Sequence, residues 1–423
     1  MIELQGKYNT AKVFNDNVDA ETISQIIKMC SQPFVAEKKI RIMPDTHAGA
    51  GCTIGTTMEI DNFVVPNWVG VDIGCGMTFC KIPAYHADKL NLPKLDEIIH
   101  QYVPNGIAVH DKELSDAWLD ELLNGLYCKN FINISRAKKS IGTLGGGNHF
   151  VELDRSAETG DVYLVVHSGS RYLGKQIAEY YQDMAGANAK KMSLDETMEL
   201  KKVIDDLKAS GQSKKINQAI TDFKNQHIAK YQKGMAPLSG QDAQSYLHDA
   251  EIANHFAHMN REAIMSTILK HLGFFGDCAE QYKDGVYPET LHNYIEILKD
   301  ENNSFSGMLR KGAISAKAGE LVLIPMNMRD GSLLCIGKGN DDWNCSAPHG
   351  AGRLLSRSQA KSTISLDEYK KAMEGIYSIS VCQSTIDESP MAYKNAEDIE
   401  QYISDTVTVI EHLKPIYNFK ALD

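Results

Sequence analysis

Apolar positions along the chain follow two regimes. Up to about residue 175 they come as short β-branched and aromatic runs separated by glycine: "IRIMPD", "NFVVPNWVGVDIG", "MTFCKI", "HFVELD" and "DVYLVVHSG". Runs of that length between glycines predict strands. Among them, "DAWLDELLNGLY" sets Trp118, Leu119, Leu122, Leu123 and Leu126 at helical spacing. From about 175 to 275 the pattern changes to long polar helices. "SLDETMELKKVIDDLKASG" predicts a helix opening on a capping box, Ser193 to Glu196, and closing at Gly211. "AQSYLHDAEIANHFAHMNREAIMSTILKHLG" predicts a long amphipathic helix ending at Gly273. Strand character returns in "GAISAKAGELVLIPM" and "SLLCIGKGN", and "NAEDIEQYISDTVTVIEHL" predicts a closing helix. No repeat, low-complexity tract or linker interrupts this order. The expectation is a single α+β domain over residues 1–423, its mixed sheets flanked by helices, with a helical insertion at approximately 175–275.

Composition narrows the class. With 43% hydrophobic and 23% charged residues in 423, the chain can bury a large core. No apolar run approaches the ~18 residues that cross a bilayer, so no membrane association is expected. The first residues lack a basic region followed by an apolar run. Nine cysteines without framework spacing and without a C-x-x-C pair predict reduced thiols and a cytoplasmic setting. A net charge of −11 argues against a phosphate-rich partner, except where cations or local basic clusters reverse the field inside a cleft. "EKKIR", "RAKK" and the Arg310–Lys311 pair are such clusters.

Five segments place reactive side chains among glycines: "PDTHAGAGCTIG", "VGVDIGCGM", "GTLGGGNHFVEL", "VVHSGSRYLG" and "CSAPHGAGRLLSR". A strand end is rigid, and glycine lets a ligand approach the backbone. Asp72-x-x-Cys75 can turn a carboxylate and a thiolate onto one centre; His149 follows three glycines, and His167 ends "YLVVH". Thiolate with imidazoles suits zinc and other first-row divalent ions. Singly, each histidine also reads as a hydrogen-bonded core imidazole and Cys75 as an inert thiol, and dispersed positions do not decide between the two. His255 and His258, one turn apart, read as a solvated helix face. In "PHGAGR", His349 precedes small residues, then Arg353 and, four further on, Arg357. Arginines fork onto phosphate oxygens. A histidine there is a candidate base or nucleophile, or a loop histidine packed by a helix start. "GTLGGGNH" is not G-x-G-x-x-G and precedes a strand-like run, which excludes a dinucleotide fingerprint; its backbone amides can still cradle phosphate.

Taken together, "VGVDIGCGM", "GTLGGGNHF", "HSGSR", "LHNY", "KGAISAKAG", "HGAGRLLSR" and "DESPMAYKN", in this order over nearly the whole chain, resemble the RtcB family of GTP-dependent RNA ligases. The resemblance implies joining of an RNA 3′-phosphate or 2′,3′-cyclic phosphate end to a 5′-hydroxyl end with GTP and two Mn(2+) ions, in tRNA splicing or RNA repair. It implies Asp72, Cys75, His149, His167 and His292 as metal ligands, with Cys75 bridging. His349 would be the nucleophile that forms a histidine–GMP intermediate, from which the guanylate passes to the RNA end. Nucleotide contacts would fall on Asn148, Glu152, Asn293, Ser332, Gly350, Ala351, Gly352 and Lys420, with Tyr393 and the Pro325, Met326, Asn327, Met328 stretch as further candidates. Arg171, Arg353 and Arg357 are candidate RNA or phosphate contacts. Partners would be RNA ends such as tRNA halves, and an archease-type activator.

The chain departs from the family pattern in places. "PMNMRDGS" stands where a glycine-containing "PGSMG" loop is common, Ala50 where a lysine is frequent, and Tyr172 where glycine is common. These leave open a GTP-dependent RNA end-capping enzyme or a metal-dependent phosphoesterase on the same scaffold. A non-catalytic RNA-binding paralogue is a third alternative, although its mark, degenerate ligands, is absent. On softness alone the ligand set suggests zinc; the resemblance implies manganese.

Overall fold

The computed structural model describes residues 1–190, 194–227, 234–282, 285–299 and 305–421. Its fold is α+β. A seven-stranded antiparallel sheet runs, edge to edge, through Glu289–Leu291, Gly76–Ile82, Val162–Ser168, Phe150–Ser156, Val407–Lys420, Gly331–Gly337 and Leu321–Asn327. A six-stranded sheet follows the order Ile2–Gln5, Thr10–Val13, Ile40–His47, Ile54–Asp61, Phe305–Lys311 and Asn293–Lys299. Alternation along the central strands gives the first sheet two apolar faces. One, with Val151, Leu153, Leu164 and Val166, packs on Ile264, Met265, Ile268 and Leu269 of the long helix. The other buries Met77, Phe79, Tyr163, Val165, Leu334 and Leu413.

The long helix Gly240–Leu272 ends on Gly273 in the left-handed region, φ 79°, where glycine carries no Cβ penalty. It is not simply amphipathic: Tyr246, Asp249, Phe256, Asn260, Arg261 and Ile268 are all buried, so it forms a spine. Its buried polar groups hold loops. Asn260 accepts from the Gly142 and Thr143 amides at 2.8 and 3.1 Å. Arg261 donates to the Gly74 and Ser168 carbonyls at 2.7 and 3.0 Å and pairs with Glu289 at 2.7 Å. Each of these loops leads into a segment singled out above.

Several local expectations are corrected. "NAEDIEQYISDTVTVIEHL" is helical only over Ala396–Ile403; Val407–Lys420 is a 14-residue strand. Val407, Thr408 and Val409 find ladder partners in Gly331–Gly337, and Leu413 to Lys420 find theirs in Phe150–Ser156, and pairing overrides the helical spacing. In "NFVVPNWVGVDIG" only Phe63–Val64 is strand, because Pro66 opens a helical turn, Pro66–Val69, that Gly70 ends. Trp118 is 48% exposed, while Leu119 and Leu123 are buried. Ser193, the proposed capping residue, lies outside the described residues; the helix there spans Leu194–Ala209. His258 is half-buried and bonded to Glu289 at 3.0 Å rather than simply solvated; His255 is exposed.

Candidate metal centre and nucleotide cavity

Sheet register gathers the candidate ligands at one end of the seven-stranded sheet. Met77 and Phe150 both lie opposite His167, and Leu291 lies opposite Gly76. Cys75, His149 and His292 therefore leave neighbouring strand ends beside His167. The Cys75 thiol lies 3.2 Å from His167 Nε2 and 3.4 Å from His149 Nε2, which is 3.0 Å from Asp72 Oδ2. Two triplets result, Cys75–His167–His292 and Asp72–Cys75–His149, each with its donor atoms within 4.8 Å of one another. Cys75 belongs to both.

The surroundings answer why the sequence sets glycines there. A Cβ on Gly169 would lie 2.3 Å from Asp72 Oδ1. At Gly145, where φ is +83°, it would lie 1.6 Å from the Arg171 guanidinium. Outer partners fix the imidazoles. His149 Nδ1–H donates to the Leu144 carbonyl at 2.8 Å, and His167 Nδ1–H to the Asn148 carbonyl at 3.2 Å. Their Nε2 lone pairs then face the cluster, as metal-binding imidazoles require.

Electrostatics agree with a cation site. Burial, followed by neighbouring histidines, holds His167 and His292 well below the ordinary imidazole value, so both are neutral donors. Burial raises the Asp72 carboxyl, but His149 and Arg171 outweigh it and pull it down to about 2. The Cys75 thiol is raised well above its ordinary value by burial and by the Asp72 charge. A divalent cation must therefore displace a proton to bind it, and affinity should rise with pH. The expected slope is about tenfold per pH unit for one proton released, measurable by chelator competition between pH 6 and 8. A flat profile would mean that Cys75 is not a ligand.

Beside the cluster lies a cavity of about 300 Å³. It is lined by Asn148, Glu152, Asn293, Pro325, Met326, Asn327, Met328, Gly350, Ala351, Gly352, Tyr393 and Lys420, and by Arg353 and Arg357. His167, His292 and His349 form its wall toward the metal cluster. Ser332 is the exception. It sits in the sheet opposite Leu413 and Pro325, is buried, and is not part of the lining. Of the two residues standing where glycines were expected, Arg329 turns away to Asp330 at 2.8 Å, while Met326, with Met328, lines the cavity.

Several residues here escaped the sequence. Asp45, fully buried, accepts from His349 Nδ1–H at 2.6 Å. The "PDTH" run flagged its segment but not its role. Asn418 donates to Glu152 at 2.9 Å, and Phe150 and His47 also line the cavity. Glu388 is bonded to Tyr393 at 2.6 Å, Lys420 at 2.7 Å, Arg357 at 2.8 Å and Arg353 at 3.2 Å. Burial raises its carboxyl, yet Lys420 and the two arginines outweigh that and hold it at about 2. Arg353 and Arg357 are thus ion-paired rather than free. Glu152 is pushed up to about 7 by burial, only partly offset by Asn418 and Lys420.

A family model described as tRNA-splicing ligase RtcB matches residues 25–130 and 128–421. The chain belongs to the RtcB family. It is 30% identical to the RNA-splicing ligase RtcB of Escherichia coli K12 and to the RNA-splicing ligase RtcB1 of another Escherichia coli strain, over 96% of this chain and 95% of each relative. It is 26% identical to the tRNA-splicing ligase RtcB of Methanococcus maripaludis, over 92% of this chain and 89% of that protein. This RtcB protein has Cys, His and Asp side chains at the cluster and methionines in the cavity wall. No helix among its described residues is long and apolar enough to cross a membrane.

Proposed function

We propose that this RtcB protein is a GTP- and manganese-dependent RNA ligase. It would join an RNA 3′-phosphate or 2′,3′-cyclic phosphate end to a 5′-hydroxyl end, in tRNA splicing or RNA repair. The observation that carries this reading is the position of His349: its Nδ1 is held by Asp45, and its ring centre is 5.2 Å from that of His292 at the metal cluster. The names of the relatives, RNA-splicing and tRNA-splicing ligases, support it.

Because Asp45 accepts a hydrogen bond from Nδ1–H, the ring lone pair of His349 is on Nε2. Nε2 attacks the α-phosphorus of GTP; a P–N bond forms and the bond to the departing pyrophosphate breaks. An oxygen of the RNA 3′-phosphate then attacks that phosphorus, the P–N bond breaks and His349 is restored. The 5′-hydroxyl finally attacks the RNA phosphorus and GMP leaves, the hydroxyl proton passing to solvent. A cyclic phosphate end takes up water before it enters this sequence. Glu152, positioned by Asn418, is an acceptor suited to the N–H edge of guanine, and Lys420 a donor suited to its O6. Cys75 with His167 and His292, and Cys75 with Asp72 and His149, would hold the two ions. Bound there, they supply positive charge against the phosphates. Thiolate and imidazole donors admit zinc as well; manganese as the working ion comes from the family resemblance.

The test is ligation of a 3′-phosphate RNA to a 5′-hydroxyl RNA by the purified protein with GTP and manganese, with and without an archease-type activator. Joined product is expected. Phosphate release without joining would favour the phosphoesterase alternative, and GMP retained on the RNA end would favour the capping one. In the same assay Asp45→Asn should slow protein guanylylation by about 10²–10⁴-fold, because the amide carries no charge to stabilise the imidazole and can donate to Nδ1, moving the ring proton to Nε2. An unchanged rate would remove Asp45 from the mechanism.

A further inference from the structure

A second cavity, about 270 Å³, also reaches the metal centre, yet shares no lining residue with the first. The nucleotide cavity meets the cluster through His167 and His292; the second meets it through Asp72 and His149. Two chambers therefore abut one pair of ion sites.

The second chamber is basic and carries an aromatic ring. The helix Arg171–Asn188 brings Arg171, Tyr172 and Lys175 into it, and the helix Ile134–Ser140 brings Arg136. Tyr172 is 40% exposed, with the Arg136 guanidinium 5.4 Å and the Lys175 ammonium 5.8 Å from its ring centre. Arg136 donates to the Ile107 carbonyl at 2.9 Å and has no carboxylate partner among the described residues. Lys175 has only a loose, exposed pairing with Glu179 at 3.7 Å. Arg171 adopts a left-handed φ of +57°, a conformation L-residues rarely take, and this aims its guanidinium to within 3.3 Å of His149 Nδ1. Asp72 is the one carboxylate in the lining. In a chain of net charge −11 such a concentration of cations marks a place for phosphates.

We propose that this chamber receives the last nucleotide of a single-stranded RNA end, with its end group at the metal centre and its base stacked on Tyr172. Lys175, half-exposed, swings from the ring to the adjoining phosphate as the base enters. Arg136 neutralises the next phosphate along the strand. The inference rests on the ligase reading and adds to it a specificity: an unpaired terminal base is selected, whatever its identity, because every base offers a π-face.

The test measures the affinity of manganese-loaded protein for a short fluorescent single-stranded RNA by anisotropy, beside an oligonucleotide of the same length whose terminal residue is abasic. Tyr172→Ala should weaken binding of the intact RNA about tenfold, Tyr172→Phe should bind within twofold of the parent, and neither should alter binding of the abasic RNA. Arg136→Ala should lower the slope of log affinity against log salt by about one charge. Equal affinities for parent and Tyr172→Ala, or the same loss on the abasic RNA, overturn the stacking site. Guanylylation of the parent protein is read separately. Its absence, with the Tyr172 effect present, defeats the ligase reading and leaves the RNA chamber standing. Its presence, with no Tyr172 effect, does the reverse.

Discussion

His349→Ala is expected to abolish transfer of label from α-³²P GTP to the protein, a loss of at least about 10³-fold, while manganese binding persists. His47 also lines the cavity with its Nδ1–H held, by the Asp45 carbonyl at 3.1 Å. The His349 imidazole differs in that a buried carboxylate, that of Asp45, holds its Nδ1–H, and it is not one of the donors in either metal triplet. Without it no P–N bond can form. Electrophoresis under denaturing conditions reads the result directly, since a phosphoramidate survives denaturation and is released by acid. Undiminished labelling of the variant would overturn the assignment. A wild-type protein that binds metal but never labels would point to the altered Met326–Arg329 loop, which lines the cavity through Met326, Asn327 and Met328.

Cys75→Ala should remove both ions together. Each triplet drops to two donors, His167 with His292 on one side and Asp72 with His149 on the other. A two-donor site retains little affinity, and a fall of at least about 100-fold at each is expected. Metal analysis after dialysis, or titration calorimetry with manganese and with zinc, would report it. Cys75→Ser controls for packing, because Cys75 is only 2% exposed and its loss also leaves a small void. Loss of a single ion would refute a shared thiolate.

Much of the site could be read along the chain because reactive residues stand beside glycine at strand ends, and both features are local. Asp72, Cys75, His149 and His167 were visible in that way. Their convergence was not, since it depends on which strands pair and in which register. His292, in "LHNY", carries no local signal and entered only through the family resemblance. Asp45 was harder still: it looks like any acid until His349, 304 residues away, is folded against it. The resemblance also implied Ser332 as a nucleotide contact; it lies buried opposite Pro325 in the sheet and is not among the residues lining the cavity. Arg353 and Arg357 read as free phosphate forks, but Glu388 and Asp387 already occupy them. The helix assigned to the C-terminal run failed for the same reason. "TVTVIEHL" suits either state alone, and its pairing with Gly331–Gly337 decides.

The placement of Val407–Lys420 has a consequence for synthesis. This strand fills a slot between Phe150–Ser156 and Gly331–Gly337, and it delivers Asn418 and Lys420 to the cavity. On the ribosome every other strand of that sheet emerges first, so the nascent chain carries two unpaired edges facing a gap. A premature stop after Thr406 would not yield a weakened enzyme. It would yield a chain with no floor to its nucleotide cavity and two open strand edges, a substrate for chaperones and proteases rather than for GTP.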